Sequence, residues 1–169
     1  MDSNASDLAA LRIDYGLGGL SETDLTADPL ELFARWLADS VAAGLHEPNA
    51  MVLATADASG KPSARMVLLK DFDERGFTFF TNHESRKGRE LAGRAEAALV
   101  FPWHPLQRQV RIEGAVALVA EDEVAAYFAT RPRGAQVGAW GSPQSRVIAG
   151  RSALEDRVAE QERRWAGEE

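Results

Sequence analysis

The sequence predicts an α+β fold that is mainly antiparallel β, and three observations carry that prediction. Apolar residues recur at helical spacing in one early segment, short apolar runs alternate with turn residues from Ala50 to Val119, and helical spacing returns after Glu121. At 169 residues, one domain with its own hydrophobic core is the expected organisation.

Residues 1–27 mix polar and small side chains with Leu8, Leu11, Ile13 and Tyr15, too little periodic apolar content for a core element, so a flexible N-terminal arm is expected ahead of a domain over 28–169. At Asp28-Pro29-Leu30-Glu31 the signals change. Asp28 can cap, Pro29 suits the first helical position and Glu31 completes a capping-box spacing. Leu30, Phe33, Leu37, Val41 and Leu45 then follow at helical spacing, and Gly44 marks the end, which predicts a helix over 29–43.

Ala50 to Ala56 reads as a strand, Asp57-Ala58-Ser59-Gly60 as a turn, and Ser63 to Lys70 as the returning strand of a hairpin. Asp71 to Gly76 predicts a second turn, followed by a strand over Phe77 to Thr81. Ser85 to Gly93 reads as a short helix, Ala97 to Trp103 as a strand ended by Pro102 and Pro105, and Leu106 to Val119 as a longer strand with a bulge at Gly114. Glu121 to Thr130 is a helix stopped by Pro132. Arg131 to Ile148 has the turn residues and polar groups of a functional loop, and Ser152 with Glu155 predicts a capping box opening a last helix toward Trp165.

A formal net charge of -7 argues against a general nucleic-acid or anionic-membrane binder, which needs a basic face. The absence of cysteine excludes disulfides, thiolate catalysis and cysteine-based zinc sites. His46, His83 and His104 have no ligand-like spacing, so no metal is expected. The start, MDSNASDLAA, lacks a basic segment followed by an apolar run, and no apolar stretch approaches a membrane span, which suggests a cytoplasmic protein. Neither a G-x-S-x-G elbow nor a glycine-rich nucleotide loop is present. The four tryptophans are read as core or interface residues.

Against this acidic background, Arg65, Lys70, Thr81, Ser85, Arg86 and Lys87 gather around two strands and the start of a helix. Cations, hydroxyls and free backbone N–H groups at such a junction suit an anion, most simply a phosphate. Arg65 and Lys70 are five residues apart, so a regular strand places them on opposite faces, where they need not touch the same atom.

Read in order, the motifs R-M-V-L-L-K (65–70), F-F-T-N (79–82), S-R-K (85–87), F-P-W-H (101–104), R-Q-V (108–110), Y-F (127–128), R-P-R (131–133) and Q-S (144–145) form a recognisable set. With the early L-R-I-D-Y and A-D-P-L-E-L-F-A-R-W-L, they resemble the pyridoxamine 5'-phosphate oxidase family over most of the chain. The resemblance implies an FMN-binding split β-barrel with peripheral helices, working as a homodimer with the flavin at the subunit interface. It implies oxidation of pyridoxamine 5'-phosphate or pyridoxine 5'-phosphate to pyridoxal 5'-phosphate, with oxygen as acceptor and hydrogen peroxide as product.

Carried over residue by residue, the FMN contacts are Arg65, Met66, Val67, Leu68, Leu69, Lys70, Phe80, Thr81, Arg86, Lys87, Gln109, Gln144 and Ser145. The substrate contacts are Lys70, Tyr127 and Arg131, with Arg12, Ile13, Asp14 and Tyr15 as a lid. No catalytic acid or nucleophile is implied, because a flavin performs the redox step and the protein aligns and neutralises. Two departures stand out. Ala135 replaces a serine that the family uses on the substrate phosphate, and the family's two further strands and Arg-x-His segment are not found before Glu169. The expectation is therefore a barrel incomplete at its C-terminal end in a sequence that is a piece of a longer protein. A natural chain of this length would instead be a non-catalytic binder of flavin or pyridoxal phosphate.

Overall fold

In a computed structural model, which describes residues 10–11, 14–17 and 19–167, Asp28 accepts a 2.9 Å hydrogen bond from Leu30 N–H and Pro29 opens α1 (Pro29–Ala42). A side-chain cap of this kind contributes about 1 kcal/mol. Two compact units make up the chain, and α1 belongs to the one formed by Met1–Pro48 with Pro102–Val110. Its core is aromatic: Phe33 packs on Trp103 with centroids 5.7 Å apart, and the Trp103 indole N–H donates to the Pro48 carbonyl at 2.8 Å. Arg108 lies 4.9 Å over the Trp36 ring and pairs with Asp39 at 2.6 Å.

The second unit comprises Asn49–Phe101 with Arg111–Glu169. Strand β1 (Ala50–Ala56) and strand β2 (Pro62–Leu68) form a hairpin in register from Ala50↔Leu68 to Ala56↔Pro62. Asp57 makes the turn, its Oδ1 accepting from the N–H groups of Ser59 and Lys61 at 2.9 and 3.0 Å, while Gly60 adopts φ 84° at no steric cost. Beyond Lys70, whose N–H donates to the Thr78 carbonyl, β3 (Asp71–Asp73) pairs with β4 (Gly76–Thr78). With β5 (Glu96–Trp103) and β6 (Arg108–Ala115), the larger sheet has the order β2-β1-β5-β6.

Alternation along β1 buries Met51, Leu53 and Thr55 on one face. Met51 and Leu53 are fully enclosed, as is Phe101 on β5, and each such side chain contributes roughly 1.5–3 kcal/mol. The row therefore ends in a hydroxyl. Thr55 is the position where the apolar core gives way to polar chemistry.

Helix α2 (Arg86–Gly93) starts at Ser85, whose Oγ accepts from Gly88 N–H at 3.2 Å. Gly88 is required by space rather than by φ: a Cβ there would lie 2.2 Å from the His83 carbonyl oxygen. Helices α3 (Glu121–Ala129), α4 (Arg133–Gly141) and α5 (Arg151–Arg164) complete the unit. A Cβ on Gly141 would meet the backbone of Val158 at 3.1 Å, so a glycine sets how closely α4 and α5 approach.

Several expectations change. Asp71 to Gly76 is not wholly a turn, because its first three residues form β3 and only Glu74 and Arg75 reverse the chain. The strand expected over 77–81 is β4, which ends at Thr78. Pro102 sits inside β5 rather than ending it, and the strand expected from Leu106 begins at Arg108 after a 3-10 turn over His104–Leu106. The segment read as a functional loop contains α4. Ser152 makes no capping box: α5 begins at Arg151, and Glu155 instead accepts from the Arg151 guanidinium at 2.7 Å.

Candidate functional site

Ser63 and Arg65 stand on the same face of β2, and Thr55 lies opposite Ser63 in the hairpin register. These three side chains meet a carboxylate from α2. Glu90 Oε2 accepts from Ser63 Oγ at 2.7 Å, from Arg65 Nη2 at 3.1 Å and from the Thr55 hydroxyl, while Glu90 Oε1 accepts from Arg86 Nε at 2.7 Å. Glu90 is buried, 5% of its side chain remaining exposed. Burial pushes its carboxyl upward, but the hydrogen bonds from Thr55, Ser63, Arg86 and Arg65 outweigh that and hold it at about 2.

Arg65 is more committed than its sequence position suggested. Nη1 donates to the Leu53 carbonyl at 3.2 Å and to Thr55 Oγ1, and Nη2 donates to Ser63 Oγ and Glu90. Among the described residues only its Nε–H is left over. Its charge nevertheless reaches Lys87, a buried residue in the first turn of α2. Burial, and then the Arg65 charge, hold the Lys87 ammonium below its ordinary value. Among the described residues Lys87 Nζ has one acceptor, Gln144 Oε1 at 2.8 Å. Among the described residues, two of its three N–H donors are left for a ligand.

The charges therefore do not simply add up as three free cations. Arg65 and Arg86 share one carboxylate and Lys87 lies within reach of the Arg65 charge, which leaves two net positive charges beside the first turn of α2, where backbone N–H groups and the helix dipole favour an anion. A phosphate monoester, with a charge of about -1.5 to -2 at pH 7, matches that balance. The carboxylate and the two hydroxyls were missed in the sequence reading. Signals for them exist: Arg86 and Glu90 have helical i,i+4 spacing, and Ser63 precedes Arg65 by two residues on a strand.

A second cluster is aromatic. Phe80 and Tyr127 stack with centroids 3.9 Å apart and planes 6° from parallel, and Lys70 Nζ lies 5.8 Å over the Tyr127 ring. Arg131, one helical turn beyond Tyr127, lies 5.6 Å over Phe128. The β3–β4 hairpin is tied to α3 by Arg75, which pairs with Asp73 at 2.8 Å and Glu123 at 2.9 Å, so the stack is anchored from both sides.

The other expected contacts differ in exposure. Met66 is 55% exposed and Leu69 is buried, with Val67, Leu68 and Thr81 half-buried. Ser145 is exposed at φ 66°, beside Gln144 in the segment after α4; Arg146 from that segment pairs with Glu84 at 3.4 Å. Gln109 is exposed on β6, and Asp14 and Tyr15 are exposed before α1. Arg12 and Ile13 lie outside the described residues. Among the described residues no group of three or more His, Asp or Glu is placed to hold a metal, and no helix is long and apolar enough to cross a membrane.

The sequence profile of the family described as Pyridoxamine 5'-phosphate oxidase matches residues 37–164, most of the chain. The chain belongs to the pyridoxamine 5'-phosphate oxidase family. Its relatives include the pyridoxine/pyridoxamine 5'-phosphate oxidase of Cupriavidus necator, 60% identical over 92% of this chain and 73% of that protein. The protein of the same name from Rubrobacter xylanophilus is 55% identical over 95% of this chain and 74% of its own length. Such names place the chain among oxidoreductases.

Among solved structures, PhzG from Burkholderia lata 383, determined in complex with tetrahydrophenazine-1-carboxylic acid, superposes with a TM-score of 0.81 at 32% identity, over 87% of this chain and 74% of that one. A pyridoxamine 5'-phosphate oxidase-related, FMN binding protein from Nostoc punctiforme has a TM-score of 0.61 at 20% identity, covering 78% of this chain and 73% of that one, and supports the fold alone. The fold is the split β-barrel of this oxidase family with helices around it. Among the described residues β2 and β6 are the edges of the larger sheet, and the barrel is not closed.

Proposed function

We propose that this family member binds FMN and oxidises pyridoxamine 5'-phosphate or pyridoxine 5'-phosphate to pyridoxal 5'-phosphate, with oxygen as acceptor. The observation that carries the reading is the Lys87 ammonium: buried, pressed by the Arg65 charge and, among the described residues, bonded to the single acceptor Gln144. A buried cation in that condition is completed by an anion. The surrounding net charge fits the FMN phosphate, and the names of the relatives support the vitamers as substrates.

FMN bound there would supply hydride acceptance from the C4' carbon of the vitamer and reoxidation by oxygen to hydrogen peroxide. The chain's own residues bind and orient. Lys87, the Arg65 Nε–H and the N–H groups opening α2 hold the phosphate, with Arg86 contributing charge at the rim. Gln144 fixes the Lys87 ammonium and brings Ser145 alongside. Thr81, Gln109 and the 66–69 backbone segment are assigned the remaining flavin contacts.

Lys70, Tyr127 and Arg131 are assigned the substrate phosphate, and Phe80, stacked on Tyr127, is assigned a flavin contact beside them. Ala135, half-buried on α4, has no hydroxyl to add. Arg12 to Tyr15 are assigned a covering role. The reading includes a homodimer, for which the exposed apolar side chains Met66, Trp140 and Val147 are suitable surface, and a cytoplasmic location.

Aerobic assay of FMN-loaded protein tests the reading. Equal formation of pyridoxal 5'-phosphate and hydrogen peroxide from pyridoxamine 5'-phosphate supports it. Tight flavin binding without turnover would leave only a binding protein.

A further inference from the structure

We propose that Glu90 is a positioning residue for the phosphate site, one that locks Arg65 and sets the direction of the Thr55 and Ser63 hydroxyls without touching the ligand. The inference rests on the reading that a flavin phosphate sits beside Arg65 and Lys87.

The argument is one of hydrogen-bond direction. A guanidinium only donates and an ionised carboxylate only accepts, whereas a hydroxyl does both. Thr55 and Ser63 lie between such a pair. Each accepts from Arg65 and each donates to Glu90 Oε2, so both hydroxyl protons point one way. Four of the five guanidinium donors are used in this arrangement, and the remaining Nε–H acquires a fixed direction. The second carboxylate oxygen takes Arg86 Nε from the preceding turn of α2, while Oε2 reaches Arg65 and Ser63 on β2, so Glu90 ties the helix that carries Lys87 to the strand that carries Arg65. Glu90 is thus the shared partner of the two elements that form the cradle.

Its charge has a second consequence. With Glu90 ionised the cluster keeps two net positive charges, suited to a phosphate dianion. Without it Arg65 and Lys87 face each other uncompensated, and Arg65 has room to swing. A placeholder model makes the opposite claim, that Glu90 competes with phosphate for Arg65, and predicts tighter flavin binding when the carboxylate is removed.

Glu90→Gln keeps the size but offers an amide that can donate, which breaks the one-way pattern. The test compares FMN with riboflavin, which lacks the phosphate, by flavin fluorescence titration of the full chain. In the parent protein FMN is expected to bind more tightly than riboflavin. Glu90→Gln is expected to reduce that preference about tenfold while riboflavin affinity stays within about twofold, a split that general loss of structure does not produce. Thr55→Val and Ser63→Ala each remove one hydroxyl and leave the charge, and are expected to lower the preference about threefold; they decide the matter if Glu90→Gln does not fold. An unchanged or increased FMN preference in these variants overturns the proposal. If the parent itself shows no FMN preference, the phosphate-site reading fails and the proposal with it.

Discussion

Lys87 Nζ donates a 2.8 Å hydrogen bond to Gln144 Oε1, joining the first turn of α2 to the segment that follows α4. These positions are 57 residues apart in sequence, and the ammonium is buried where they meet. Removing the cation should cost more than removing its partner. Lys87→Ala is expected to weaken FMN binding about 30–100-fold, and Gln144→Ala about 3–10-fold, as measured by fluorescence titration.

The same ammonium is expected to give flavin binding an alkaline limb. Burial and the Arg65 charge lower its pKa, so it loses its proton before an ordinary lysine would. FMN affinity should rise as the phosphate loses its second proton near pH 6 and fall again as pH climbs through the depressed Lys87 value, below 10.5. The ligand-free protein has the opposite dependence: in that alkaline window the unfolded chain binds more protons, so this group's contribution to stability rises with pH. Titrations from pH 5 to 10 should show the limb in the parent and lose it in Lys87→Gln.

Glu90 governs the acid side. Its folded-state value of about 2 lies below the ordinary 4.5, so its contribution is complete above 4.5 and is lost as pH falls toward 2. Thermal midpoints measured across that window should fall more steeply for the parent than for Glu90→Gln. At neutral pH the substitution is expected to cost about 2 kcal/mol.

Gly88 offers a steric test. An alanine Cβ would sit 2.2 Å from the His83 carbonyl oxygen and 2.6 Å from its carbon, contacts that only backbone movement relieves. Gly88→Ala should destabilise by about 2–3 kcal/mol and weaken FMN binding, because the loop before Ser85 must move. Gly138→Ala in α4 meets nothing within 4 Å and should be neutral or slightly stabilising in the same denaturation experiment.

Arg131 and Tyr127, proposed as substrate contacts, allow substrate binding to be tested apart from flavin binding. Arg131→Ala should raise KM for pyridoxamine 5'-phosphate about 10–100-fold with FMN affinity unchanged. Tyr127→Ala, which also removes the 3.9 Å stack on Phe80, should affect both. Steady-state kinetics alongside flavin titration checks the distinction.

Local chemistry made much of this fold legible. Asp28 and Pro29 announce α1, the Asp57–Gly60 turn fixes the first hairpin, and Ser85 caps α2 as its sequence suggests. Helix α4 was hidden because Gly134, Gly138 and Gly141 lower its helical propensity. Its stability comes from packing on α5, where Gly141 permits close approach to Val158. Strand β3 was hidden because Asp71 and Asp73 favour turns.

At the site, the cations were readable as a group, but their coupling was not. A carboxylate 25 residues from Arg65 accepts from that arginine, and only the meeting of β2 with α2 reveals it. The Phe80–Tyr127 stack and the Arg75–Glu123 pair likewise join distant segments, the latter across 48 residues.

The central claim is that this chain holds FMN where a phosphorylated vitamer can reduce it, and one spectrum tests it most directly. Protein loaded with FMN is mixed with pyridoxamine 5'-phosphate without oxygen, and the visible flavin absorbance is followed. Bleaching of the oxidised flavin band, with its return when air is admitted, is the predicted result. A band that stays unchanged at saturating pyridoxamine 5'-phosphate would contradict the account.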